Sequence, residues 1–192
     1  MKKLLFTTLI TLSTFSLFAQ TGLTKGETAP TFTAKDNSGK TLDLKALLKT
    51  HKAVVLLFYR GQWCPYCNKQ MSHLQDSLSM LTAKGAYVVG VTPETTENIS
   101  KTVQKTRASF SIIQDDNYQI MKAYKVNYVV DDALYGKLKS YNIDLEKNNG
   151  NKDHVLPVPA TYIIDKSGKI TFVHFDKDYT KRPSVQTLLN NL

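Results

Sequence analysis

A chain of 192 residues is long enough for one domain that buries about 70% of its unfolded surface. Its formal charge of +9 comes from lysines scattered among acids, without a basic block or aromatic–basic interleaving, so the charge reads as a solvated basic surface rather than a nucleic-acid face. Two cysteines in all exclude a disulfide framework separate from any function the pair itself performs.

Met1-Lys2-Lys3 followed by the apolar stretch Leu4 to Phe18 and the small Ala19 reads as an export signal over residues 1–19. The stretch falls short of the roughly 20 apolar residues a membrane span needs, so no stable membrane insertion is expected. No cysteine follows it to carry a lipid anchor. Removing it leaves a mature domain over residues 20–192 with the charge reduced to +7, since two lysines leave and no acid does. Export implies a periplasmic or other extracytoplasmic location, where a pair of thiols tends to be oxidised.

Within the domain, Thr31 to Ala34 and Thr41-Leu42 are expected to form a hairpin around Asp36-Asn37-Ser38-Gly39. A short helix capped by Asp43 should follow. The continuous apolar run Ala53 to Tyr59 suits a central strand covered on both faces. Met71, Leu74, Leu78 and Leu81 recur at spacings of three and four, which predicts one helix from Pro65 to about Lys84, stopped at Gly85. Ala86 to Val91 is the next buried strand, Thr92-Pro93-Glu94 opens a helix to about Arg107, and Ser111 to Gln114 is a further strand. Strand, helix, strand, helix in this order gives parallel pairing through right-handed crossovers. A short helix to Tyr124 precedes residues 125–156, rich in Tyr and Asn, with one helix near Asp131 to Tyr141. Tyr128, Tyr135 and Tyr141 are read chiefly as packing, with lining of a groove as the alternative. Ala160 to Ile164 and Lys169 to Phe175 form a hairpin around Asp165-Lys166-Ser167-Gly168, and Ser184 caps a last helix to Asn191.

The chemistry is concentrated in Trp63-Cys64-Pro65-Tyr66-Cys67, between the first buried strand and the long helix. Cys64 falls at the helix start, where unpaired N–H groups and the helix dipole favour a thiolate. An ordinary cysteine is only about 3% ionised at pH 7, so this environment makes Cys64 the candidate nucleophile. Cys67, one turn later on the same face, is placed to resolve a bond formed on Cys64. Pro65 suits the first helical position. Arg60 is the nearby cation able to lower a thiol pKa, with a plain surface arginine as the bland alternative, and Trp63 and Tyr66 flank the thiols as a partner surface. A structural metal site would need a second Cys pair or a His pair, and the four histidines are scattered. A carrier for a soft ion such as Cu(I) is disfavoured by the lack of Met or His clusters near the pair.

FYRGQWCPYCN (residues 58–68) resembles the active-site turn of the thioredoxin superfamily. With GETAPTFTAKDNSGKTLDL (26–44), IDLEKNNGN (143–151) and LPVPATYIIDKSGKI (156–170), the chain resembles redoxins of the alkyl hydroperoxide reductase/thiol-specific antioxidant, peroxiredoxin-like, family. The resemblance implies an α/β thioredoxin-like fold, with a central mixed β-sheet flanked by helices, an N-terminal hairpin extension and an insertion before a cis-proline. Carried over, Val158–Pro159 is the cis bond, with the Val158 backbone free to pair with a substrate strand across from Cys64. No cofactor is implied. Two activities compete. As a thiol–disulfide oxidoreductase, Cys64 attacks a protein disulfide and Cys67 resolves it. As a thiol peroxidase, Cys64 attacks a hydroperoxide and Cys67 condenses with the sulfenic acid. Either needs an upstream electron donor. The family's peroxidase pattern P-x-x-x-T/S-x-x-C, counted back from Cys64, meets Gly61 and Leu57, so disulfide exchange is the expectation and peroxidase activity the alternative. Thioredoxins carry a buried acid in the strand before the turn; here that strand has none, so Cys67 must lose its proton another way.

Overall fold

The structure, a computed structural model, describes residues 21–192, and the export segment expected over residues 1–19 lies outside them. Strand β3 (Ala53–Phe58) has every residue buried and forms the spine of a five-stranded sheet. It pairs in parallel with β4 (Ala86–Thr92), which pairs in parallel with β5 (Ser111–Gln114). On its other side β3 pairs antiparallel with β8 (Ala160–Asp165), whose hairpin partner is β9 (Ile170–Phe175). The order β5-β4-β3-β8-β9 makes a mixed sheet.

The unbroken apolar run of β3 is two interleaved faces, because successive side chains of a strand point to opposite sides. Val54, Leu56 and Phe58 join a cluster with Leu42, Leu44, Tyr124 and Tyr162, beneath the N-terminal hairpin β1 (Thr33–Lys35) and β2 (Thr41–Asp43) and helix α1 (Leu44–Thr50). Val55, Leu57 and Tyr59 join Cys64, Cys67, Met71, Leu74, Ile99 and Leu188 on the opposite face, under helices α2 (Pro65–Asp76), α4 (Thr96–Thr106) and α8 (Val185–Asn190). Each such apolar side chain taken from water contributes about 1.5–3 kcal/mol, so the sheet spine is a stiff platform for the turn at its end. Asp43, Thr95 and Ser184 cap α1, α4 and α8 through their side-chain oxygens.

Four expectations change. The helix predicted to run from Pro65 to Lys84 is broken at Ser77, where α2 gives way to α3 (Leu78–Ala83). Asp76 and Ser77 are residues whose side chains compete with helical backbone bonding, while the three–four spacing of the apolar residues carries across the break. Thr92-Pro93-Glu94 does not open the next helix: Thr95 is the cap, and the preceding residues form a loop that turns Glu94 inward. Between α5 (Gln119–Ala123) and β8, the Tyr- and Asn-rich segment holds not one helix but β6 (Asn127–Val129), α6 (Asp132–Ser140), α7 (Leu145–Asn149) and β7 (Val155–Pro157), with β6 and β7 paired antiparallel. The fourth is the proline. No peptide bond among the described residues is cis, so Val158–Pro159 is trans. The chain passes extended from β7 into β8 and needs no tight turn there, and without one the trans form is the default by about 0.5–1 kcal/mol. The Val158 N–H, expected to be free for a substrate strand, donates to Val126 O at 2.7 Å.

Candidate active site

The turn after β3 is held by its neighbours before it reaches the sulfurs. Tyr59 N–H donates to Val91 O at 3.1 Å, carrying the parallel pairing one residue past β3. Gly61 has φ +153, and a Cβ there would fall 2.6 Å from both Glu94 Oε1 and Trp63 Nε1, so the close approach requires glycine. Gln62 is gripped from several sides: its N–H donates to Glu94 Oε1 at 2.7 Å, its carbonyl accepts from Asn68 Nδ2 at 2.8 Å and Lys105 Nζ at 3.1 Å, and its side-chain oxygen also accepts from Lys105. Cys64, extended at φ −88 and ψ 109, is the residue before the first helical position, and Pro65 occupies that position.

Both cysteines are free thiols, and their sulfurs lie 2.7 Å apart. Cys64 is 1% exposed and Cys67 0%. The surroundings divide the pair. The hydrogen bond to Cys67 and burial push the Cys64 thiol up. Burial also opposes ionisation of Cys67, yet the hydrogen bond with Cys64 and the charge of Arg182 outweigh it and bring its pKa down.

Three side chains complete the site. Arg60 is 4% exposed, so it is not the surface arginine of the bland reading; its guanidinium lies 4.8 Å from the Trp63 ring centre and 4.3 Å from that of Tyr179. Its Nε has no hydrogen-bond partner. Arg182, between β9 and α8, brings Nη2 to 3.6 Å from Cys67 Sγ while Nη1 donates to Lys181 O at 2.6 Å. Glu94 is fully buried, with burial pushing its carboxyl up to about 8 and the Cys67 charge acting in the same direction. Thr102 Oγ1 donates to its second oxygen at 3.4 Å.

Of the residues singled out in the sequence, Arg60, Trp63, Cys64 and Cys67 meet at this turn. Tyr66 stands 41% exposed at the rim, edge-to-face with Tyr179 at 5.8 Å. Val158 and Pro159 line a cavity of about 370 Å³ together with Arg60, Tyr128, Leu134 and Tyr179. Tyr128 therefore borders the site; Tyr135 instead donates to Asp144 and stacks on His154, and Tyr141 is exposed. A second cavity of about 300 Å³ lies between α2 and residues 180–185, with Tyr66, Gln70, His73 and Arg182 among its walls. Arg182 and Glu94 were missed. Glu94 supplies the buried acid expected to be absent, from the loop after β4 rather than from β3. Two adjacent parallel strands bring their C-terminal loops together, which is the signal that could have found it.

The sequence pattern of the AhpC/TSA family matches residues 25–173. The chain belongs to the AhpC/TSA family. Within it, this redoxin is 28% identical over 173 residues to a chloroplastic peroxiredoxin Q of Sedum lineare, covering 90% of this chain and 79% of the relative. Its fold matches the crystal structure of the peroxidoxin BcpB of Mycobacterium tuberculosis with a TM-score of 0.66 at 19% identity, over 87% of this chain and 94% of the other. It also matches a putative thiol:disulfide interchange protein DsbE of Chlorobium tepidum with a TM-score of 0.57 at 22% identity, over 88% and 98% of the two chains. The expected thioredoxin-like architecture, mixed sheet and N-terminal hairpin included, is the one observed. The AhpC/TSA redoxin is an enzyme of thiol redox chemistry, a thiol–disulfide oxidoreductase or a thiol-dependent peroxidase. Among its described residues no helix is long and apolar enough to cross a membrane, and no group of three or more His, Cys, Asp or Glu could hold a metal ion.

Proposed function

We propose that this redoxin is a thiol-dependent peroxidase that reduces hydroperoxides at the Cys64–Cys67 pair. The observation that carries the reading is the burial of both sulfurs, 1% and 0% exposed. A hydroperoxide is a few atoms across and needs only a small opening of the turn to reach these sulfurs; the disulfide of a folded protein needs the turn to open fully. Two guanidinium groups, Arg60 and Arg182, stand at the sulfurs to favour a thiolate and polarise an O–O bond. The peroxide is reduced by two electrons to alcohol or water, and the two thiols leave as a disulfide. An external thiol donor then restores the pair. The similarity to peroxiredoxin Q supports this choice over the disulfide exchange favoured by the Cys-Pro-Tyr-Cys spacing.

Disulfide exchange keeps one specific point in its favour: Tyr66, beside Cys64, is exposed as a docking partner for a client would be. In either case Trp63, Tyr66, Val158 and Pro159 are the proposed substrate-contacting residues. Export through residues 1–19 belongs to the same proposal, and N-terminal sequencing of protein recovered outside the cytoplasm would begin at Gln20.

The test is turnover of the reduced protein in excess dithiothreitol with hydrogen peroxide, an alkyl hydroperoxide or insulin disulfides as oxidant. Peroxide turnover well above the uncatalysed rate, lost when both cysteines are replaced by serine, is the expected result. Insulin reduced faster than either peroxide is the result that overturns it.

A further inference from the structure

We propose that Cys67, one turn inside α2, is the thiolate-bearing and attacking sulfur of the pair, that Arg182 is its counter-charge, and that Cys64 is the resolving thiol. The inference deepens the peroxidase reading and rests on it only for the identity of the oxidant.

A helix start predicts the opposite order, because the residue at the cap is the one aimed at unpaired N–H groups. Here that advantage is outweighed: Cys64 makes no side-chain capping hydrogen bond, and the Cys67 thiol and burial push its pKa up more than the Cys67 backbone N–H and Arg60 bring it down. The nearest cation on its side, Arg60, is engaged by the rings of Trp63 and Tyr179. Cys67 has the direct cationic contact, with Arg182 Nη2 at 3.6 Å from its sulfur. Arg182 forms no ion pair with a carboxylate among the described residues, and its Nε has no hydrogen-bond partner; the acid that feels its charge is Asp178, on the exposed side of the segment. Exposure does not choose between the sulfurs, since both are closed off. Arg182 also walls the cavity between α2 and residues 180–185, so the guanidinium in contact with Cys67 borders that cavity as well.

The groups facing Cys67 from every side are consistent with a resting anion there. Cys64 and Arg182 lower its pKa, as does the Arg60 backbone N–H. Tyr59 is a buried phenol and Tyr128 a half-buried one, both held neutral with their pKa values raised. Glu94, with its carboxyl at about 8, is mostly protonated at neutral pH and adds a competing negative charge only above that.

The reaction then balances as follows. The Cys67 thiolate attacks the terminal oxygen of R–O–O–H; the O–O bond breaks, the alkoxide leaves and takes a proton from solvent, and Cys67 becomes a sulfenic acid. Cys64 loses its proton as its sulfur attacks Cys67; the S–O bond breaks, hydroxide leaves and is protonated to water, and the disulfide forms. An external thiol donor returns the two electrons.

Single-thiol variants decide the order. Iodoacetamide alkylation of Cys64→Ser and Cys67→Ser is followed against pH, and each reduced variant is also treated with hydrogen peroxide and dimedone before mass analysis. The expected result is a fast thiol in Cys64→Ser, its midpoint below the ordinary value of about 8.5, with one peroxide consumed per chain and dimedone on Cys67. Cys67→Ser should react at least about tenfold more slowly, the loss of thiolate fraction when a midpoint rises by one unit or more. In the Cys64→Ser background, Arg182→Gln should raise the midpoint and Arg182→Lys should bring it part of the way back, which a merely structural arginine would not do. A fast thiol with its adduct on Cys64 in Cys67→Ser overturns the assignment, as does an Arg182→Gln midpoint that does not move. Alkylation needs no peroxide, so low-midpoint labelling of Cys67 without peroxide consumption upholds the order of the sulfurs and removes the peroxidase reading instead.

Discussion

Glu94 is the residue whose environment is most unlike the one its sequence suggests. An acid following Thr-Pro in a polar stretch reads as the exposed first turn of a helix, but this one is sealed under Gly61 and Gln62, with a pKa raised from 4.5 to about 8. The folded protein therefore keeps a proton that the unfolded chain releases, and the stability this confers is fully present below about 4.5 and is lost as pH rises through about 8. Glu94→Gln should flatten that slope. Urea unfolding at pH 5 and pH 8 checks it: the stability difference between the two pH values should be smaller in the variant, by something on the order of one to a few kcal/mol. An identical difference would mean that Glu94 ionises freely in the fold. The two cysteines and Arg60 were legible because they are contiguous with the turn they serve. Arg182 was not, because it lies 115 residues from Cys67 in a polar run with no periodicity to place it.

The elements that carry these residues were legible to different degrees for physical reasons. β3, β4 and β8 were read closely because an apolar run in a sheet core has few alternatives. The break at Ser77 was hidden because the apolar spacing continues across it, and β6 and β7 were hidden because three-residue strands leave no pattern to count. The trans Val158–Pro159 bond shows the limit of resemblance: the proline is where it was expected, but the backbone around it is committed to Val126. Helix α8 bears on the site because its cap, Ser184, lies two residues after Arg182 and accepts from Thr187 N–H at 3.0 Å. Ser184→Ala should cost about 1 kcal/mol of stability, read by thermal or denaturant unfolding, and should slow peroxide turnover less than Arg182→Gln does. Equal or greater slowing would mean that the segment's order, rather than the guanidinium, is what the sulfur needs.

At the scale of the whole molecule, the sheet delivers a dithiol turn to one edge of the domain, and the segment between α5 and β8 closes part of that edge. Its small core of Val130, Leu138, Leu145 and Leu156 packs against Trp63, which also touches the main core. Trp63 thus joins the insertion to the active turn, and it is the chain's one tryptophan, stacked on Arg60. Its emission is a natural reporter of what happens at the sulfurs. The most direct measurement is a single turnover of the reduced protein with hydrogen peroxide, followed by Trp63 fluorescence in stopped flow with the product identified by mass. The account predicts a rate rising linearly with peroxide and far above that of a free cysteine thiolate, ending in one Cys64–Cys67 disulfide per peroxide consumed. A rate no faster than that of the free thiolate, or oxidation that stops short of the internal disulfide, would contradict it.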